Sequence, residues 1–129
     1  MASSLLRHGK IADPYLRDNE SKALPEFEKD YVFQRDFELP ADALAHDRTL
    51  SHCAGLDTIA DAALNGVAIA GVDNMHRTCA FDVKSRLRTG GNTVTLTFYS
   101  PVKYLADHPP IIGKPYASIR KASCMFGWD

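Results

Sequence analysis

The sequence predicts an all-β chain, an antiparallel β-sandwich of the jelly-roll type that is incomplete as it stands. Three observations carry this. Apolar and polar residues alternate at period two around residues 31–39 and 93–99, an Asn65-Gly66 turn separates two short apolar runs, and no stretch sustains a helical period. Short strands punctuated by turn signals suit a sandwich better than an α/β sheet, which needs helices alternating with its strands.

The elements follow in chain order. Leu5, Leu6 and Arg7 resemble the tail of a helix whose beginning is absent. Residues 9–30 are polar and contain Asp13-Pro14, Asn19-Glu20 and Pro25. Proline bars helix and regular sheet pairing, so this stretch is expected as a long loop, anchored by Tyr15 and Phe27. Residues 1–30 are thus a helix end and a loop, and residues 31–129 the sandwich, in one domain. The first strand places Tyr31, Phe33, Phe37 and Leu39 on one face, with Val32, Gln34, Asp36 and Glu38 on the other. Shorter strands are expected at 48–56, 59–64 and 78–83. Asn65-Gly66 is a type I′ signal, because that turn needs positive φ at both central residues, so 59–64 should pair with 67–70. Gly90-Gly91-Asn92 supplies a turn before 93–99, where Val94, Leu96 and Phe98 point inward and Thr93, Thr95 and Thr97 outward. A second long loop spans 101–116, with Pro109, Pro110 and Pro115. A strand-like run over 117–129 then stops in mid-pattern.

Composition limits the function. The chain has 129 residues, with 15 basic against 16 acidic side chains and a formal net charge of −1. That balance leaves no electrostatic footprint for nucleic acid or an anionic membrane. Residues 1–10 hold no apolar core with a cleavage site, and no apolar run approaches a membrane span, so the chain reads as soluble and unexported. Cys53, Cys79 and Cys124 are odd in number and lack a C-x-x-C spacing, so they read as buried thiols. The histidines His8, His46, His52, His76 and His108 never fall at i, i+4, so no metal is assigned, and no cofactor either.

Motif content adds a family. Four landmarks occur in order: Ile11 to Tyr15 with its D-P-Y, followed by Asn19-Glu20; Gly55-Leu56-Asp57-Thr58 with Leu64-Asn65-Gly66; Asp73-Asn74-Met75 with Arg77, leading to Phe81-Asp82-Val83; and Arg120-Lys121-Ala122 with Phe126-Gly127-Trp128-Asp129. Together they resemble the N-terminal, galactose-binding-like domain of β-mannosidases in glycoside hydrolase family two. The sequence departs from that pattern at Tyr31, where the family usually has Trp, and at His76, where it usually has a bulky aromatic.

The resemblance implies a retaining enzyme for terminal β-mannose. Such enzymes hold two carboxylates about 5–5.5 Å apart, one as nucleophile and one as acid then base. In the family both are glutamates on a later (β/α)₈ barrel, so this piece is expected to be catalytically inert. Glu20, Glu26, Glu28 and Glu38 then read as solvated charges. The implied partners are the barrel of the same parent chain and, in the intact enzyme, a mannoside. A sugar-pocket wall needs an aromatic against the apolar sugar face and a carboxylate or amide for the hydroxyls. Trp128 and Asp129 supply that pair, with Asn19 and Asp13 as further candidates. Alternative readings are a free-standing carbohydrate-binding module, a sister β-galactosidase, β-glucuronidase or exo-β-glucosaminidase, and a purely structural domain.

Overall fold

The computed structural model describes residues 2–109 and residue 119. The described strands are β1 (Tyr31–Leu39), β2 (Leu50–Cys53), β3 (Ala60–Leu64), β4 (Val67–Val72), β5 (Cys79–Asp82) and β6 (Gly90–Phe98). They form a four-stranded antiparallel sheet in the order β1-β6-β3-β4 and a two-stranded ribbon, β2-β5. Both are antiparallel, as the alternating patterns require.

The register shows why these strands share a core. Phe37 lies opposite Asn92 and Arg35 opposite Val94, while Val94 also faces Leu64 and Phe98 faces Ala60. Directly opposed residues project to the same face, so Phe33, Phe37 and Leu39 join Val94, Leu96 and Phe98 on one side. Phe33 meets Phe98 edge-on at 5.7 Å, an arrangement that places ring hydrogens against a π face. An apolar cleft of about 250 Å³ separates this face from the ribbon, lined by Phe37, Leu39, Leu64 and Val94 on one side and Leu50 and Val83 on the other.

The hairpin is as expected. Asn65 and Gly66 have φ of 52° and 79°, and β3 pairs with β4 across them, with a register shift between Ala62 and Ala63. A Cβ on Gly66 would meet nothing within 4 Å, so a side chain there is opposed by backbone conformation alone. Gly66→Val is therefore expected to destabilise the chain by about 1–3 kcal/mol, measured by urea unfolding, without changing the slope of the transition.

Three local expectations are corrected. The stretch 9–30 is not a continuous loop: helix α1 (Ala2–Arg7) is followed by α2 (Asn19–Phe27), with Pro25 inside it. Tertiary burial outweighs proline here. Ala23 is 2% exposed and joins Leu5 and Ile11 in a cluster against which Phe27 and Tyr31 pack. The end of α1 is a Schellman motif, in which Lys10 N–H donates to the Leu5 carbonyl and Gly9 N–H to that of Leu6, with Gly9 at φ 66°. Second, Gly90, Gly91 and Asn92 belong to β6, opposite Leu39, Glu38 and Phe37, and do not form the turn. Third, the segment after residue 100 begins with α3 (Pro101–Asp107). Ser100 is its N-cap, its hydroxyl accepting from Lys103 N–H at 3.4 Å, and Pro101 occupies a first-turn position where no N–H is needed. Asp30 ties this start to the head of β1 by accepting from Ser100 N–H at 2.8 Å and Lys103 Nζ at 3.1 Å. Those donors, the Ser100 amide first, hold its carboxyl below the usual aspartate range. The expected strand over 117–129 lies outside the described residues, apart from Ile119, which is buried.

Candidate functional site

The D-P-Y segment is a wound turn. Asp13 Oδ1 accepts from Tyr15 N–H at 3.0 Å, closing an Asx turn. The Asp13 carbonyl accepts twice more, from Leu16 N–H at 3.1 Å and from Asn19 Nδ2 at 3.0 Å. Asn19 opens α2, so its amide fastens the loop to the helix. Asp13 and Asn19 are therefore brought together, each with part of its hydrogen-bonding capacity committed to the turn. Trp128 and Asp129, the other two candidates, lie outside the described residues.

Tyr15 does not anchor this loop, contrary to the sequence-based expectation. It is 97% exposed; Leu16, next to it in the chain, is 60% exposed, and Leu24 of α2 is 53% exposed. The turn at Asp13 accounts for this, since its three hydrogen bonds shape the loop with no need of the ring. An aromatic side chain held outward on a hydrogen-bonded turn suits contact with a sugar face or another protein layer. Periodicity gave no signal for it, because a turn has none.

Three carboxyl groups are held below their ordinary range by donors beside them: Glu26 by the Lys29 ammonium, Asp30 by the Ser100 amide, and Asp82 by the Lys84 amide and the Arg48 guanidinium. Glu20, Glu28 and Glu38 are exposed and Glu26 is half-buried. Among the described residues no group of His, Cys, Asp and Glu could hold a metal ion, and no helix is long and apolar enough to cross a membrane.

A sequence profile of the glycosyl hydrolase 2 galactose-binding domain-like family matches residues 1–129. The chain belongs to that family. Its curated relatives include the β-mannosidase of Mus musculus, 29% identical over 98% of this chain, and β-mannosidase B of Neosartorya fischeri, 32% identical over 97%. The chain spans 16% of the length of each of these relatives. Among solved structures, the β-D-mannosidase of Dictyoglomus thermophilum superposes with a TM-score of 0.89 at 29% identity, covering 97% of this chain and 16% of that one. The exo-chitosanase CsxA of Amycolatopsis orientalis superposes at 0.66 with 24% identity, which establishes a shared fold. Membership agrees with the two-layer antiparallel architecture and with the order of the motifs, which now have positions. Gly55 sits so close to the Met75 carbonyl that a Cβ would stand 2.7 Å from its oxygen, and Asn74 Oδ1 accepts from His76 N–H at 3.0 Å. Within these motifs, Gly55 is thus a packing position and Asn74 a turn position.

Proposed function

We propose that residues 1–129 serve as the non-catalytic N-terminal sandwich of a retaining β-mannosidase, resting on the catalytic barrel and forming one wall of the pocket for a terminal mannose. The observation that carries this is the likeness to β-mannosidases along nearly the whole chain, in sequence and in fold. The outward Tyr15 and Leu16, adjacent on one loop, support it, since a domain that packs on another needs uncovered apolar side chains.

In this reading Asp129 accepts hydrogen bonds from mannose hydroxyls, Trp128 shapes the adjoining wall, and Asp13 and Asn19 are further sugar-contacting candidates. The test has two arms. Residues 1–129 alone should release no nitrophenol from an aryl β-mannoside. An enzyme whose chain carries these residues at its N-terminus should hydrolyse that substrate in preference to the β-galactoside, β-glucuronide and β-glucosaminide. Turnover by the isolated chain, or preference for another glycoside, would contradict the proposal.

A further inference from the structure

Cys53 and Cys79 are not buried as expected but free and half-exposed, and the register of the ribbon sets them directly opposite each other, while Cys124 lies outside the described residues. Val83 N–H donates to the Thr49 carbonyl at 2.9 Å, which makes Thr49 and Val83 a hydrogen-bonded pair. Pair types alternate along an antiparallel ladder, so Ser51/Phe81 and Cys53/Cys79 are of the same type, with Cα atoms about 5.5 Å apart. That separation lies inside the range of about 4.4–6.8 Å that a disulfide spans, while the Cβ atoms of a hydrogen-bonded pair stand about 5.5 Å apart, so closing the bond draws them together by about 1 Å. Both thiols leave the ribbon on one face. In the reduced chain the Cys79 thiol rests on the Arg77 carbonyl at 3.9 Å, a weak contact that is easily surrendered.

We propose that Cys53 and Cys79 form a dithiol modification site that reacts with small disulfides of the glutathione class and closes to an intrachain disulfide. One thiol loses its proton to solvent and its thiolate attacks a sulfur of the small disulfide. A mixed disulfide forms, the small S–S bond breaks, and one small thiolate leaves and takes up a proton. The second cysteine, likewise deprotonated, then attacks the protein sulfur of that mixed disulfide and expels the second small thiol. Two protein thiols are oxidised to one disulfide while one small disulfide is reduced to two thiols. The surrounding backbone keeps the two strands paired while the thiols close. Beyond the pair, Thr78 Oγ1 donates to the Ala54 carbonyl at 3.3 Å, and Gly55 is seated against the Met75 carbonyl.

The test uses the full chain, as wild type and as Cys124→Ser, incubated with oxidised glutathione under native conditions and digested without reduction. Both should yield a peptide pair joined through Cys53 and Cys79, lighter by two hydrogens, free of retained glutathione and separated by dithiothreitol. With Cys53→Ser, Cys79 should instead keep a glutathione adduct, because no opposed thiol resolves it. Lasting adducts on the wild-type pair, linkage only after denaturation, or no reaction at either thiol would overturn the proposal.

Discussion

Replacing Asp129 by alanine in an enzyme carrying this domain is expected to lower kcat/KM for an aryl β-mannoside about 10²-fold, roughly 2.7 kcal/mol of transition-state stabilisation. The expectation rests on the proposed pocket wall. An ionised carboxylate accepts strongly from hydroxyl donors, and hydrogen bonds that tighten as the sugar ring distorts lower the barrier as well as the ground state. A loss confined to KM would mean that Asp129 holds substrate and transition state equally. The melting temperature should move little. Steady-state kinetics beside a thermal melt separates the possibilities: near-normal kcat/KM removes Asp129 from the pocket, and a joint loss of activity and stability assigns it to packing.

What could be read in advance follows the physics of each signal. Strands β1 and β6 were legible because one face of each is apolar and the other polar, and period two records that directly. The β3-β4 hairpin was legible because Asn65 and Gly66 are among the few residues that accept positive φ. Helix α2 was not, since Pro25 argues against it locally and what sustains it is the burial of Ala23 and Phe27 against Leu5 and Ile11, distant in sequence. Helix α3 carried a usable sign in Ser100-Pro101, an N-cap followed by a first-turn proline, which the prolines at 109, 110 and 115 outweighed. In the candidate site, the D-P-Y and N-E residues entered through family resemblance. Their pairing by the Asn19 amide on the Asp13 carbonyl, and the outward turn of Tyr15, depend on loop geometry that composition does not encode. The thiols at 53 and 79 were read as buried from cysteine's usual habit, but the two-stranded ribbon that carries them leaves both half-exposed.

Asn92 illustrates the same limit and yields the largest expected stability effect. Glycine-rich neighbours made it look like a turn residue, yet it is 1% exposed. Its Oδ1 accepts from Arg88 N–H at 3.0 Å and Asn65 Nδ2 at 2.9 Å, and its Nδ2 donates to the carbonyls of Arg88 at 2.7 Å and Gly90 at 2.9 Å. Two donors and two acceptor sites are all that an amide offers, so the side chain is fully used. Asn65 in turn donates to the Arg86 carbonyl at 2.7 Å and accepts from Thr93 N–H at 2.9 Å, joining the hairpin tip to the segment before β6. Asn92→Ala removes four bonds from a buried side chain, strips contacts from the half-buried Asn65 and Gly90 and opens a cavity, and should destabilise by about 2–3 kcal/mol in urea unfolding. Asn92→Asp keeps the shape and both acceptor contacts but turns an oxygen toward two carbonyls. Burial and that repulsion raise the substituted carboxyl above its unfolded pKa of about 3.9. The variant's stability should therefore be greatest below that value and fall as pH rises through the raised folded pKa, whereas the wild-type amide has no such titration. Equal losses for Asn92→Asp at pH 3.5 and pH 7, each relative to wild type, would show that the two donations do not hold the Arg88 and Gly90 carbonyls in place.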